Sequence, residues 1–387
     1  MHNQSSRQQY LPVFIGLALF WLAFSARGQA LAFETSPPPL AATSYILLDY
    51  DSGEVLVEQN ADMQAAPASL TKLMTAYIVF SELKAGRLTL TDKIVVSQKA
   101  RDMGGSRMFL EVGSTVSLEE LLKGMIVQSG NDATVVLAEH VAGSEAGFAT
   151  LMNQYADKLG LKNTRYANSS GMPAEMHHTT AKDMAKMARA LIRDFPDYYP
   201  LYSEKEYTYN KIRQLNRNLL LWRDESVDGV KTGYTEEAGY CLVASAKREN
   251  MRLISAVMGT ESKEARAEES RKLLNYGFRF FETHRLYQAK SVLQHAEVWQ
   301  GAADTIGLGL AKPLFITIPR GEYDNLKAVL HVNKPLIAPL AAGHMYGRLE
   351  VSLNSKPVAN RPLVALSSVG EGDFFRQMVD YLLLKLE

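Results

Sequence analysis

The spacing of apolar and polar residues divides the chain into strand-like and helix-like stretches. Apolar runs on either side of a turn at 51–53 predict two strands within Ser44–Gln59. Across residues 69–85 apolar positions recur every three to four residues, which predicts a helix. A capping-box pattern at 117–120 predicts the start of another helix that runs to about residue 128. After a break at 129–132, further helices are expected to about residue 140 and at 145–159 and 180–194.

After residue 229 the pattern changes to successive strands. Val230–Thr235, Tyr240–Ala246 and Arg252–Met258 have strand character, and Glu264–Phe281 is again helical. Strands near both ends of this part, with helices between them, indicate one sheet assembled from both chain ends with a helical lobe inserted. We therefore predict an α/β (α+β) domain over residues 33–287.

A second pattern begins at about residue 288. Short alternating apolar segments follow one another to residue 366, and glycine and proline punctuate them. Such spacing is typical of a small all-β domain, which we assign to residues 288–370.

The last residues, 373–387, have the period of an amphipathic helix. Their apolar side chains fall on one broad face and comprise Phe374, Phe375, Met378, Val379, Leu382 and Leu386. Residues 371–387 carry a net charge of −2, so membrane binding would rest on apolar surface rather than on attraction to anionic lipid. The pattern fits a helix packed on the β-rich domain and also an in-plane membrane anchor.

Residues 1–32 match a secretory signal. Arg7 provides the positive start, Leu11–Phe24 is an apolar run shorter than a membrane span, and residues 30–32 fit the small-x-small cleavage rule. This predicts a mature chain from Phe33, exported to a bacterial periplasm or cell surface, since an exported protein without disulfides suits those places. An uncleaved membrane anchor is the alternative.

Composition excludes several classes of protein. With 47% hydrophobic and 22% charged residues, the chain is not disordered, collagen-like or a polytopic membrane protein. The formal net charge is +0, and loss of Arg7 and Arg27 with the signal leaves −2, so no nucleic acid is expected as a partner. The single cysteine, Cys241, excludes an intramolecular disulfide and a cysteine-rich zinc site, and its apolar neighbours predict a buried thiol.

Ser69 and Lys72 form a Ser-x-x-Lys pair at the start of a predicted helix. Positions three apart on a helix share a face, so the Lys72 amine can reach the Ser69 hydroxyl. Serine is a weak nucleophile until a base takes its proton, and lysine can be that base when burial or nearby cations lower its pKa. Taken alone, the pair also fits an N-cap serine beside a solvated lysine.

Two further short motifs carry hydroxyls, an amide and a cation. Ser129-Gly130-Asn131 lies in a break between helices, where a hydroxyl can relay a proton and an amide can orient a base. Lys231-Thr232-Gly233 lies on a predicted strand and adds a cation and a hydroxyl, and its glycine lets another backbone approach closely. Either motif alone also fits an ordinary turn.

The three motifs occur in this order, 60 and then 102 residues apart. Together, Ser-x-x-Lys, Ser-Asp-Asn and Lys-Thr-Gly mark penicillin-binding proteins and class A β-lactamases. The middle motif here is Ser-Gly-Asn, which disfavours a β-lactamase. Over essentially its whole length the chain resembles the D-alanyl-D-alanine carboxypeptidases of the peptidase S11 family, which are low-molecular-mass penicillin-binding proteins. The resemblance also includes residues 104–108, 216–218, 227–230 and 253–259. The β-rich domain and the tail resemble the penicillin-binding protein 5/6 subgroup, which favours an anchor at 371–387 on the outer face of the inner membrane.

The resemblance implies a serine peptidase. The substrate would be a peptidoglycan stem pentapeptide ending in D-Ala-D-Ala, and β-lactam antibiotics would acylate Ser69. Ser69 would attack the carbonyl of the penultimate D-alanine with Lys72 as general base, and water would then hydrolyse the acyl-enzyme. No metal or organic cofactor is implied.

Supporting roles follow from the same resemblance. Backbone N–H groups of Ser69 and Tyr234 would hold the oxyanion. Ser129 would pass a proton to the departing D-alanine, while Asn131 would orient the reacting groups.

The resemblance also implies a binding site for the terminal carboxylate. Lys231 and Thr232 would help to bind it. Gly233, whose missing side chain lets another backbone approach, is assigned to the same substrate-binding site. Arg266 resembles a family arginine near this site, although an exposed helix arginine explains it equally well. Tyr234 stands where some relatives have histidine, so the role of its side chain stays open.

Three other functions remain open. A β-lactamase of the same superfamily would have a Glu-x-x-Leu-Asn segment between the second and third motifs, but the match, Glu350–Asn354, lies in the β-rich domain. We therefore expect slow deacylation of β-lactams. A catalytically weak wall-binding or shape-maintaining protein is disfavoured because all three motifs are intact, and endopeptidase activity is a second enzymatic option.

His177 and His178 lack the His-Glu-x-x-His spacing and are expected to be solvated rather than to bind zinc.

Overall fold

The computed structural model describes residues 36–386, so the predicted signal at 1–32 lies outside the described residues. The part that carries the three motifs alternates strands and helices. Its elements are β1 (Ser44–Asp49), β2 (Val55–Gln59), α1 (Lys72–Lys84), β3 (Lys93–Val95), α2 (Gln98–Arg101), β4 (Thr115–Ser117), α3 (Leu118–Ile126), α4 (Asn131–Ala142), α5 (Glu145–Leu159), α6 (Ala181–Asp194), β5 (Glu206–Tyr209), β6 (Ile212–Leu215), α7 (Leu220–Arg223), β7 (Val227–Thr235), β8 (Gly239–Arg248), β9 (Met251–Thr260) and α8 (Lys263–Phe280).

A five-stranded antiparallel sheet in the order β2-β1-β9-β8-β7 forms the centre of this part. β1 pairs along its length with β9, with Ser44 opposite Met258 and Asp49 opposite Leu253. The sheet is thus assembled from both ends of this part, and helices α1 to α6 lie between its strands in the chain. This confirms the predicted α/β fold with an inserted helical lobe.

The side chains of β1 alternate between two hydrophobic cores. Ile46 and Leu48 pack with the helices of the inserted lobe, whereas Tyr45 and Leu47 pack with α8. Because both faces of the sheet are covered, all six residues of β1 are buried. This explains why its sequence is a nearly continuous apolar run rather than an alternation.

The Ser-x-x-Lys motif enters its helix through a tighter turn than the pattern predicts. Ala68–Thr71 form a 3-10 turn, and the α-helix begins only at Lys72. Neither end of this turn has a side-chain cap, so Ser69 is not an N-cap. Most residues of α1 are buried, which makes it the central helix of the inserted lobe.

The predicted capping box is confirmed at the start of α3. The Ser117 hydroxyl accepts a hydrogen bond from the Glu120 N–H, and the Glu120 carboxylate accepts one from the Ser117 N–H. α3 ends at Ile126 and α4 begins at Asn131, so Ser129 and Gly130 lie in the turn between the two helices and Asn131 is the first residue of α4. The predicted break at 129–132 therefore lies two residues earlier, at 127–130.

The β-rich part follows α8 directly and confirms the predicted all-β character. Its elements are β10 (Phe281–Tyr287), β11 (Val292–Trp299), β12 (Thr305–Gly309), β13 (Leu314–Pro319), β14 (Leu326–Val332), β15 (Leu336–Ile337), β16 (Met345–Leu353) and β17 (Lys356–Ala365), and α9 (Phe374–Leu384) follows them. Six of these strands form one sheet in the order β14-β16-β17-β12-β11-β15. β10 pairs with β13, so it joins the β-rich part although the predicted boundary at residue 288 leaves it with the preceding part.

Hydrogen bonds connect β1 and the turn after it to the β10–β13 pair. The Thr283 hydroxyl donates to Asp49 Oδ2 at 2.7 Å, and the hydroxyls of Ser52 and Thr317 lie 2.6 Å apart. Asp49 is fully buried, and its Oδ1 accepts from the Ser52 N–H at 2.7 Å. These donors stabilise a carboxylate that burial would otherwise penalise.

α9 exposes its apolar side chains. None of its residues is buried, and the most exposed apolar side chains at this end of the chain are Phe374, Phe375 and Leu386. Its polar side faces the β-rich part, because Asp380 accepts from the Gln300 N–H at 2.5 Å and Arg376 pairs with Asp304. The apolar face is therefore not packed on the β-rich part. Within residues 36–386, no helix has the length and apolar character needed to span a bilayer.

Candidate active site

Ser69 lies on a sharply bent stretch of backbone that two glycines accommodate. Ala68, just before it, has a φ of 47°, in the left-handed region that residues with side chains rarely adopt. A Cβ added to Gly171 would lie 1.7 Å from the Ala68 carbonyl oxygen, and one added to Gly233 would lie 3.3 Å from the Ala68 side chain. The turn that carries Ser69 is thus held between β7 and the loop formed by residues 165–178.

The Lys72 amine is buried next to Ser69 and contacts three oxygens. Its Nζ lies 3.0 Å from Ser69 Oγ, 2.7 Å from Asn131 Oδ1 and 2.6 Å from the Ser170 carbonyl oxygen. The residue is only 1% exposed, so the solvated-lysine interpretation is wrong. The structure brings the Ser-x-x-Lys pair together as its spacing predicts.

Burial changes the acid–base chemistry of Lys72. Loss of water around the ammonium, reinforced by the nearby Arg217 guanidinium, lowers the pKa of Lys72 from 10.5 to about 7, while Asp132 opposes the shift. The three oxygens that contact Nζ belong to a hydroxyl, an amide and a carbonyl, all of them neutral. Near neutral pH a large fraction of Lys72 is therefore a free amine that can accept a proton.

The second motif contacts both lysines of the site. The Ser129 hydroxyl accepts a hydrogen bond from Lys231 Nζ at 2.9 Å. Asn131 Nδ2 donates to the Gly104 carbonyl at 2.7 Å, and this bond turns the amide so that Oδ1 faces Lys72. Ser129 and Asn131 thus lie between the first and third motifs.

The third motif lies on β7, the strand at the edge of the sheet. Lys231 is buried, and burial first, then the charges of Lys72 and the two nearby arginines, lower the pKa of Lys231 well below its usual value. Its Nζ also donates to the Thr232 carbonyl at 3.1 Å. Thr232 is largely buried and lines the same cleft as Ser69.

Arg266 reaches the third motif from α8. Its Nη1 donates to the Gly233 carbonyl at 3.1 Å and its Nη2 to the Arg217 carbonyl at 3.3 Å. Arg266 is 6% exposed, so the interpretation as an exposed helix arginine is wrong. Burial lowers the pKa of its guanidinium to about 10, which leaves it a cation at neutral pH.

Tyr234 follows the third motif and lies at the wall of the cleft. Its side chain is half exposed, and its ring packs on that of Tyr240 with ring centres 4.2 Å apart. The Arg266 guanidinium lies 5.6 Å from the centre of the Tyr240 ring. Tyr240 thus contacts both Tyr234 and the buried cation.

The motifs open onto one cleft of about 1070 Å³. The sequence-predicted residues that line it are Ser69, Ser129, Asn131, Thr232, Gly233, Tyr234 and Arg266, and the two motif lysines are buried beside it. Arg213, Arg217 and Lys263 add further positive side chains, and none of the described residues that line the cleft is acidic. A positive cleft of this kind attracts an anionic group.

Asp132 is a site residue that sequence reasoning missed. Its buried carboxylate accepts backbone N–H bonds at 3.0, 2.9 and 3.2 Å from three consecutive residues, Met108, Phe109 and Leu110. These bonds hold the loop that carries the Gly104 carbonyl, the acceptor of the Asn131 amide. An acidic residue directly after the second motif, at the start of a helix, is the sequence signal that could have indicated it.

The expectation that His177 is solvated is wrong. Its side chain is 7% exposed, and its Nε2 lies 2.9 Å from the hydroxyl oxygen of Thr71. Within the described part of the chain, no group of three or more His, Cys, Asp or Glu side chains is placed to hold a metal ion.

Comparison with known proteins agrees with the motifs. The family model for D-alanyl-D-alanine carboxypeptidase, peptidase S11, matches residues 31–262, and the model for the C-terminal domain of penicillin-binding protein 5 matches residues 281–371. D-alanyl-D-alanine carboxypeptidase DacC of Escherichia coli (strain K12) is 45% identical over 388 residues, 97% of each chain. DacA of the same strain is 46% identical over 355 residues, 90% of this chain and 88% of its own.

A solved structure supports the same assignment. Penicillin binding protein 5 from Haemophilus influenzae matches with a TM-score of 0.84 at 43% identity, over 87% of this chain and 99% of that one. The chain belongs to the peptidase S11 family of D-alanyl-D-alanine carboxypeptidases.

Proposed function

We propose that this protein is a serine-type D-Ala-D-Ala carboxypeptidase that removes the terminal D-alanine from peptidoglycan stem pentapeptides. The observation that carries the proposal is the buried Lys72 amine, 3.0 Å from Ser69 Oγ and with a pKa of about 7. It is a base placed to activate a serine, in a chain whose relatives are named for this activity.

The contacts of Lys72 set the direction of proton transfer. A neutral amine has two N–H bonds and one lone pair. The Asn131 amide oxygen and the Ser170 carbonyl take the two N–H bonds, which leaves the lone pair for the Ser69 hydroxyl. As Ser69 Oγ bonds to the carbonyl carbon of the penultimate D-alanine, its proton moves to Lys72 and the carbonyl electron pair moves onto oxygen.

The tetrahedral intermediate then expels the terminal D-alanine. The C=O bond forms again and the C–N bond breaks. The Ser129 hydroxyl gives its proton to the leaving amine and is reprotonated with the proton that Lys72 took from Ser69. Lys231 donates to Ser129 Oγ at 2.9 Å, which orients that hydroxyl. Water afterwards adds to the ester carbon and the C–Oγ bond breaks. One proton of that water ends on Oγ and restores Ser69, while the N–H groups of Ser69 and Tyr234 stabilise each oxyanion.

The charges of the cleft suit a substrate that ends in a carboxylate. Lys231 belongs to the third motif and Arg266 contacts that motif at the Gly233 carbonyl, and no acidic side chain is found among the described residues of the cleft lining. With Thr232 as hydroxyl donor, these groups bind the carboxylate of the terminal D-alanine. A peptide with an amidated end would lose this interaction.

Product masses test the proposal directly. Wild-type protein incubated with pentapeptide muropeptides should release D-alanine and leave tetrapeptides, and Ser69→Ala should release none. A crosslinked muropeptide in the same assay separates carboxypeptidase from endopeptidase activity. Wild-type protein that binds muropeptides without releasing D-alanine would instead indicate the wall-binding alternative.

β-Lactams should trap Ser69 as a slowly hydrolysed acyl-enzyme. Glu350, the acidic residue of the β-lactamase-like segment, lies on β16 of the β-rich part and pairs with Arg348. The cleft lining therefore contains no described carboxylate to activate a deacylating water. A labelled penicillin should remain bound to wild-type protein, and labelling that survives Ser69→Ala would contradict the assignment.

We further propose that the protein is exported to the periplasm and attached to the outer face of the inner membrane by residues 371–387. The signal-like sequence at 1–32 supports export. The exposed apolar side of α9, whose polar side binds the β-rich part through Asp380 and Arg376, supports in-plane attachment.

A further inference from the structure

His177 lies outside the three motifs but contacts Thr71, one of the two residues between Ser69 and Lys72. Its Nε2 lies 2.9 Å from Thr71 Oγ1, and both side chains are buried. The backbone N–H of Ala167 points at its Nδ1 at 3.4 Å. Because a backbone N–H can only donate, Nδ1 is an acceptor, and the ring proton is on Nε2, which donates to Thr71.

The imidazole stays neutral while Lys72 titrates. Burial, and to a smaller extent the neighbouring His178, lower the pKa of His177 to about 4, whereas that of Lys72 is about 7. The Tyr166 ring packs edge-on against the imidazole with ring centres 6.0 Å apart. The bond to Thr71 is therefore the same throughout the range in which the active-site amine changes its charge.

The loop that His177 belongs to contributes directly to the site. Paired backbone bonds between Arg165 and His178, at 2.9 and 3.1 Å, close the 165–178 loop. Within it, Asn168 Oδ1 accepts the Gly171 N–H at 2.7 Å and fixes the turn. The loop carries the Ser170 carbonyl that accepts from Lys72 Nζ at 2.6 Å.

We propose that His177 is a positioning residue for acylation, which fastens the 165–178 loop to the turn that carries Ser69 and Lys72. The bond to Thr71 keeps the Ser170 carbonyl in place, and that carbonyl keeps the Lys72 lone pair directed at the Ser69 hydroxyl. Without the hydrogen bond between His177 and Thr71, the loop and the turn can shift against each other. A misplacement of about 1 Å near reacting groups costs on the order of 100-fold in rate. The inference rests on the proposed function.

Two substitutions of His177 test the proposal, one that removes the N–H donor to Thr71 and one that keeps an N–H donor. His177→Leu keeps most of the volume and removes the hydrogen bond, whereas His177→Gln retains an N–H donor. With a fluorescent penicillin, His177→Leu should lower the maximal acylation rate about 10- to 100-fold and leave the half-saturating concentration unchanged. His177→Gln should restore most of the rate, and the matched control His178→Leu should acylate like the wild type.

Thr71→Val removes the same bond from the other side and keeps the test valid if His177→Leu fails to fold. The losses of acylation rate caused by His177→Leu and Thr71→Val should not add, so the double variant should acylate no more slowly than the slower single variant. The proposal would be overturned if His177→Leu and His177→Gln lost acylation rate equally, or if only the half-saturating concentration changed. It would also be overturned if the rate losses of His177→Leu and Thr71→Val were additive. A wild-type chain that neither takes the label nor releases D-alanine would overturn the proposed function itself.

Discussion

At the residue scale, the lowered pKa of Lys72 predicts a pH dependence. The free amine accepts the Ser69 proton and the ammonium cannot, so the acylation rate should fall below pH about 7 and level off above it. The fall should approach about tenfold per pH unit. Fluorescent penicillin, followed from roughly pH 5 to pH 9, measures the profile. Lys72→Arg, which stays protonated throughout, should not acylate, and a rate that stays flat on the acid side would refute the role of Lys72.

Gly171 offers a second test at this scale. Both Gly171 and Gly143 have positive φ, 89° and 72°, but a Cβ on Gly171 would meet the Ala68 carbonyl, whereas one on Gly143 would meet nothing within 4 Å. Gly143→Ala should therefore cost only about 1–2 kcal/mol of backbone strain and retain the acylation rate. Gly171→Ala should also displace the turn before Ser69 and lower the rate by about 100-fold or more. Equal acylation rates in the two variants would show that the close approach does not position Ser69.

The motif residues could be predicted because their chemistry is encoded in side-chain type and spacing. Ser69 and Lys72 share a helical face at any site of this kind. The Ser170 carbonyl could not be predicted, because a backbone oxygen is present at every position and only the fold selects one. Burial of Arg266 likewise depends on how close α8 lies to β7, a distance that no local pattern contains.

At the scale of elements, the exposed side of α9 should bind a bilayer. Replacing Phe374, Phe375 and Leu382 with serine should abolish co-sedimentation of the chain with phospholipid vesicles, because the apolar area that stabilises binding is lost. Neutral and anionic vesicles should bind wild-type protein alike, since residues 371–387 carry a net charge of −2.

A control that replaces exposed apolar side chains of the β-rich part with serine should leave vesicle binding intact. Suitable positions are Val292, Val329 and Met345, each at least half exposed. If a chain that ends at Val369 still sediments with vesicles as the full chain does, α9 is not the anchor.

Long elements with a clear period were predicted, and short or interrupted ones were not. The sequences of β8 and β9 contain apolar runs because both faces of these strands are covered. The sequence of β17 does not indicate a strand over most of its length, because Pro357 and Pro362 disfavour one. The structure tolerates them because, in the described chain, β12 pairs with β17 only at Val364 and Ala365, so the prolines have one free edge.

At the scale of the whole molecule, the buried Asp49 couples the sheet to the β-rich part. Thr283→Val removes the hydroxyl that donates to Asp49 Oδ2 at 2.7 Å and leaves a buried carboxylate with one donor fewer. The free energy of unfolding should fall by about 1–3 kcal/mol, as measured by urea denaturation. Acylation should not change because the bond is not part of the cleft, and a slower acylation at unchanged stability would contradict this view.

The order of the part that carries the three motifs and the β-rich part could be predicted from the sequence, whereas the strand at which one gives way to the other could not. Alternating apolar segments indicated a β-rich part, but β10 has no alternation of burial and follows α8 without a break. Only its pairing with β13 shows which part it belongs to. Such pairing joins residues about thirty positions apart and depends on the whole sheet.

The single cysteine makes this protein suitable for site-directed labelling. Cys241 is fully buried, and burial raises the pKa of its thiol to about 11, so almost no reactive thiolate exists at neutral pH. Maleimide probes should therefore spare the wild-type chain. Cysteines introduced on α9 and at the mouth of the cleft would be the two thiols that react, and a pair of spin labels on them could then report the distance between the active site and α9 without any change to the native core.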